Sequence, residues 1–168
     1  MKTLLSTSLF CKTIVCILFL IFSKSNQAQT TLSPGDIAFV RFQSDNPDEF
    51  SFVILKDIQA GTVINFTDNG WKSSGSFRSN EQTETWTANT DYTCGDEIII
   101  STTSLALSAS NGDQILAYQG ASTSPSFIAA INFNGSTWTE ATNAQTSALP
   151  TGLTEGLTAV AVGNTDNG

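Results

Sequence analysis

GDIAFVRFQSDNPDEFSFVILKDIQAGTVINFTDNGW, residues 35–71, holds three apolar runs divided by turn-forming residues. In the first run, Asp36 to Phe42, Ile37 and Phe39 fall on one side and Ala38, Val40 and Phe42 on the other. Side chains alternate across a strand, so this run predicts a strand with two apolar faces, buried on both. Gln43 to Glu49 is a turn, because Pro47 has no N–H to give a ladder and Ser, Asn and Asp bond their own backbone. Phe50 to Lys56 is the second run, and the short polar link predicts antiparallel pairing with the first, with Asp45, Asp48 and Glu49 at the tip. Ala60-Gly61 breaks the chain again, Thr62 to Thr67 is a third β-rich run, and Asp68-Asn69-Gly70 closes it.

The composition limits the chemistry. The chain has 168 residues and no His. Ser-His-Asp and Cys-His enzymes are thereby excluded, and so is a His-ligated zinc site. Residues 1–28 read as a signal peptide: Lys2 and Lys12 supply positive charge, Ile14 to Phe22 is an unbroken apolar run, and a short polar exit ends at Ala28. That run is too short for a membrane-spanning helix, which needs about 20 residues. An uncleaved anchor is the alternative. Removal of the leader takes Lys2, Lys12 and Lys24, which leaves four cations against 15 acids, a net charge of −11. Such a surface repels nucleic acid and anionic lipid. The chain is therefore expected to be secreted, extracellular or on a cell surface, with no membrane contact after cleavage.

Beyond Trp71, a polar loop from Lys72 to Thr83 leads to a short strand around Trp86. The three Ile of Asp96 to Ser101 predict a strand buried on both faces. Leu105, Leu107 and Ala109 alternate with polar residues and predict a half-buried strand, and Asn111-Gly112 is a hairpin signal leading to Asp113 to Gln119. Ser126 to Phe133 and Leu157 to Val162 complete the series, with a further short strand expected at Thr137 to Thr139 and a helical turn between Glu140 and Leu149. Many short strands at close spacing, with no helical period in residues 29–168, predict one all-β sandwich domain. Gly-Asp opens three of the strands, at 35–36, 95–96 and 112–113, where Gly turns the chain and Asp bonds the turning backbone. Thr-Asp-Asn-Gly occurs at 67–70 and again at 165–168, the end of the sequence, and a turn there leads to the expectation that further domains follow.

The Ile-Ala-Phe-Val strand, Asp48-Glu49-Phe50, Gly70-Trp71, Thr85-Trp86-Thr87, Cys94-Gly95-Asp96-Glu97-Ile98-Ile99-Ile100 and Gly112-Asp113-Gln114-Ile115-Leu116 follow one another in order. Over residues 34–120 this pattern resembles the lamin-tail domain, in the form found as modules of secreted bacterial multidomain proteins. The resemblance implies an immunoglobulin-like antiparallel β-sandwich and a non-enzymatic module attached to an extracellular hydrolase or a surface protein. It implies no catalytic residues.

Few side chains invite a ligand. Asp45, Asp48 and Glu49 form the densest acidic group, a weak Ca²⁺ candidate that matches no EF-hand spacing; a solvated turn is the simpler reading. No other cofactor is indicated. Trp71 and Phe77, in or beside a Gly-containing polar loop, are the aromatics expected to be exposed and able to stack on a sugar, whereas large aromatics more often fill a core. Asp68, Glu84 and Glu140 are acids that glycoside hydrolysis could use, but no spacing fixes a pair. Cys94 is the one cysteine after the leader and is left without a partner. The expected function is a secreted, non-catalytic module for adhesion, spacing or presentation, with polysaccharide or cell-surface components as partners. A carbohydrate-binding accessory module of an extracellular hydrolase is the alternative.

Overall fold

The structure is a computed structural model that describes residues 28–168, so the signal-peptide segment lies, but for Ala28, outside the described residues. Ten strands follow one another: β1 (Ile37–Gln43), β2 (Glu49–Ile54), β3 (Val63–Thr67), β4 (Trp71–Lys72), β5 (Ser76–Phe77), β6 (Thr83–Thr87), β7 (Glu97–Ser101), β8 (Gln114–Gln119), β9 (Ser126–Asn132) and β10 (Ala159–Ala161). They form a three-stranded sheet in the order β1-β2-β7, a five-stranded sheet in the order β10-β9-β8-β3-β6, and the small pair β4-β5. All pairings are antiparallel except β10 on β9. The molecule is all-β, no helix is formed among the described residues, and neither large sheet closes on itself.

The opening stretch folds as its turns dictate. β1 and β2 pair antiparallel from Ile37↔Ile54 to Gln43↔Glu49, with Asp45 to Asp48 in the connection. β3 leaves them for the other sheet, where it lies between β6 and β8. The two large sheets share one apolar cluster. Phe50, Phe52 and Ile54 of β2 face Ile64 and Phe66 of β3, with Ile115 of β8 and Ile128 of β9 beside them, and each is essentially inaccessible. Phe66 is the hinge of this packing, with ring centroids 4.9 Å from Phe50 and 5.0 Å from Phe52. Burying each such side chain contributes about 1.5–3 kcal/mol.

Two strands expected to be buried on both faces are not. Val40 in β1 is 51% exposed and Ile99 in β7 is 57% exposed. Both strands are edges of the three-stranded sheet, whose outer face has no covering layer among the described residues. In β1 a bulge at Val40 shifts the alternation, so that Ile37 and Phe42 both reach the core. The strands covered on both faces are β8 and β9. Ile115 and Ala117 point into the shared cluster, while Leu116 and Tyr118 enter a second cluster with Trp71, Phe127, Ala130 and Leu153 on the opposite face. A bulge at Ile128 turns both Ile128 and Ala129 into the shared cluster, while Phe127 and Ala130 enter the second.

Other expected elements do not form. Residues 104–108 form no strand, Asn111-Gly112 closes no hairpin, Thr137 to Thr139 is not a strand, and the 140–149 segment forms no helix. Leu105 and Leu107 are nevertheless buried. Their segment is held by side chains from elsewhere in the chain, described below. Gly112 has a φ of +67°, and a Cβ there would lie 2.1 Å from the Phe133 carbonyl oxygen, so no other residue fits. The Gly-Asp turns behave as read. Asp36 accepts from Ser33 N at 2.7 Å, Asp96 from Thr93 N at 2.7 Å, and Asp113 from Ser108 N at 3.1 Å. The two Thr-Asp-Asn-Gly copies do not match: Asp68 is buried, whereas Asp166 is exposed.

Candidate functional site: a buried carboxylate clasp and an open groove

Five consecutive amides, Ser104 to Ser108, are each caught by a side chain instead of a ladder. Ser104 N and Leu105 N donate to Thr102 Oγ1 at 3.1 and 3.0 Å. Ala106 N donates to Asp68 Oδ2 at 3.0 Å, Leu107 N to Asp48 Oδ2 at 2.8 Å, and Ser108 N to Asp113 Oδ2 at 3.1 Å. Thr102 Oγ1 itself donates to Glu84 Oε2 at 3.0 Å. Three Asp from three separate turns therefore secure one loop and seat Leu105 and Leu107 in the core. Asp68 Oδ1 also accepts from Gln82 N at 2.9 Å, and Asp113 Oδ1 from Gln114 N and Gln114 Nε2, each at 2.9 Å. The same Gln114 amide donates to the Asp68 carbonyl and, at 2.9 Å, to the Ala144 carbonyl.

The burial of these acids shifts their protonation. Loss of water pushes Asp113 up to about 8, and the nearby Glu81 and Asp68 charges push the same way against the lowering effect of its backbone hydrogen bonds. Glu81, whose carboxylate lies 3.7 Å from the Arg78 guanidinium, is raised to about 7 by burial and by Asp68. Asp68 and Asp48 are raised as well, chiefly by burial. These groups are positioned for backbone support: Asp68 and Asp113 are each 1% exposed, which closes them to a substrate.

The acidic turn does not converge on a cation. Asp45 is exposed and accepts from Asn167 Nδ2 at 3.2 Å, Asp48 turns inward to Leu107, and Glu49 binds Arg41 and accepts from Ser101 Oγ at 3.0 Å. Among the described residues no three acidic, Cys or His side chains are grouped to hold a metal. The three acids considered for glycoside hydrolysis also point apart. Asp68 is in the clasp, Glu84 holds Thr102, and the exposed Glu140 accepts from Ser73 N at 3.1 Å, its pKa lowered first by the Ser73 hydroxyl and then by this amide.

Trp71 is not the exposed ring that its loop suggested. It is 5% exposed, in edge contact with Phe77 at 5.1 Å and Phe127 at 4.9 Å. The distant 138–153 segment covers it: Ser147 Oγ accepts from Trp71 N, Ala148 N donates to Trp71 O, and the indole donates to Thr151 Oγ1 at 3.2 Å. Phe77 is half-buried against the same cluster. The sugar-stacking reading thus loses the ring it rested on. Cys94 is exposed in the turn before β7, has no disulfide partner among the described residues, and donates its amide to Asp57 Oδ1 at 2.9 Å.

The open feature lies where the edges of the two sheets meet. A groove of about 280 Å³ runs between β1 and the β9–β10 side, lined by Phe39, Val40, Ala130, Ile131, Val160 and Val162 among others. Its rim carries much of the exposed apolar surface: Val40 at 51%, Leu157 at 79%, Val160 at 40% and Val162 at 45%. Sequence reading missed both this groove and the clasp. The Gly112-Asp113 turn was its one local sign of the clasp, and the groove had none. No helix among the described residues is long and apolar enough to cross a membrane. In comparisons with known proteins, the chain matches no family model, no curated protein and no solved structure.

Proposed function

We propose that this protein is a secreted, non-catalytic module of adhesion or presentation, an immunoglobulin-like β-sandwich related to lamin-tail-like modules, that works through the groove between its sheet edges. The observation that carries this reading is the exposed apolar rim of Val40, Leu157, Val160 and Val162 around a groove where the edges of the two sheets meet. Contiguous exposed apolar surface on a soluble protein marks a contact site. The apolar run before Ala28 supports export, and the employment of Asp48, Asp68 and Asp113 as backbone acceptors supports a structural role for the buried acids.

Retention on the washed surface of the cells that secrete the protein tests this. The wild-type protein is expected to stay bound and a Val40→Asp, Val160→Asp double variant to wash off. Both positions are exposed, so the substitutions spare the core. Equal retention of the two proteins would sink the adhesive role.

A further inference from the structure

Thr30 is held by the fold from three directions. Its amide donates to Thr62 Oγ1 at 3.1 Å, its hydroxyl accepts from Gln59 N at 3.0 Å, and its carbonyl accepts from Gln119 Nε2 at 3.0 Å. Leu32 follows, with its amide donating to Gln119 Oε1 at 2.9 Å and its side chain in the core at 4% exposure. Ala28 and Gln29, immediately before Thr30, are exposed. Among the described residues the Gln29 amide makes no hydrogen bond, and its carboxamide makes one long one, from Nε2 to the Val63 carbonyl at 3.4 Å. Cleavage of the expected leader after Ala28 thus leaves every bond of Thr30 and Leu32 in place and makes Gln29 the first residue. A first-residue Gln carries an amine and, on the same side chain, a carboxamide carbon within its reach. Ring closure within one residue is strongly favoured over the same reaction between separate molecules.

Resting on the reading of the protein as exported, we propose that the mature chain begins at Gln29 and that this residue is closed to a pyroglutamyl lactam. The α-nitrogen attacks Cδ, the new N–Cδ bond replaces the Cδ–Nε2 bond, and Nε2 takes a proton from the amine and leaves as ammonia. No oxidant, reductant or other reactant is consumed. The leaving group has only its 3.4 Å bond to Val63 to give up. The competing state is a free ammonium, because Asp57 and Asp91 line the same surface pocket as Gln29 and no Lys or Arg lines it. An exposed ion pair is weak and reversible, however, and an α-amine titrates near ~8, so some neutral amine is always present to react. Loss of ammonia is not reversed, and the lactam accumulates. A lactam offers no primary amine to an aminopeptidase. What it shields is the segment behind it: trimming through Thr30 would strip its bonds to Thr62, Gln59 and Gln119 and loosen Leu32 from the core.

The test uses protein collected from the cells that export it, unfolded, treated with an amine-reactive label, and read at its first peptide by mass spectrometry. Lys56 and Lys72, the lysines of residues 29–168, take the label in every sample and serve as controls. The wild-type first peptide is expected to begin at Gln29, to be lighter than the unmodified peptide by one ammonia, to carry no label at its start, and to resist an aminopeptidase. Gln29→Ala is expected to begin at the same position, to take the label there and to be trimmed. A labelled Gln29 would overturn the lactam and leave export standing. A wild-type chain that begins at any other residue would overturn the proposal as well, and a retained leader would take the export reading down with it. An unlabelled start in Gln29→Ala would reveal a block of another kind and would also overturn the lactam.

Discussion

Asp113 and Glu81 decide how this protein responds to pH. Their folded pKa values, about 8 and about 7, lie above the ordinary carboxylate range near ~4. Between that range and the folded values, the folded state binds more protons than the unfolded chain. Stability is therefore fullest below the ordinary carboxylate pKa and is lost as pH rises through about 7 and about 8. The melting temperature is expected to be higher at pH ~5 than at pH ~9, and Glu81→Gln is expected to flatten the part of the slope around neutrality. A melting temperature that rises over this interval would contradict the raised pKa values. Little of this was legible in the sequence. Asp48, Asp68 and Asp113 are far apart along the chain, and only the fold brings their oxygens to three successive amides. The Gly-Asp turns were legible, because a turn and its Asp acceptor are neighbours in sequence.

Strands show the same divide between near and distant information. The β1–β2 pair was readable because one short polar turn joins it and sets its register. β7 misled because three successive Ile look alike whether a strand is central or at an edge, and edge position depends on which strands pair elsewhere. This makes a clean comparison available by urea denaturation. Ile99→Thr is expected to change stability by no more than ~0.5 kcal/mol, as for an exposed site. Ile100→Thr, which trims a half-buried side chain packed against the core cluster, is expected to cost roughly 1–3 kcal/mol. Equal losses at the two positions would mean that the outer face of the three-stranded sheet is covered. The 104–108 segment has the alternation of a strand but no partner strand to bond it. Its side-chain acceptors hold it in the loop that seats Leu105 and Leu107. Trp71 illustrates the reverse error: a polar local setting announced exposure, and a segment beginning at Trp138 buried it.

Taken together, the molecule has a firm side and an open side. Three acids tie the ends of β2, β3 and β8 to the 104–108 loop, while β1 and β10 border a shared apolar groove. The all-β class was legible from strand spacing, but the choice of edges was not, since it follows from the order of strands in two sheets. Residue-resolved amide hydrogen exchange on the protein tests the firm side directly. Ala106, Leu107 and Ser108 are expected to exchange slowly although they lie in no strand, because each amide is bonded to an Asp carboxyl. Exchange of Ala106, Leu107 and Ser108 at the rate of a free loop would contradict the clasp.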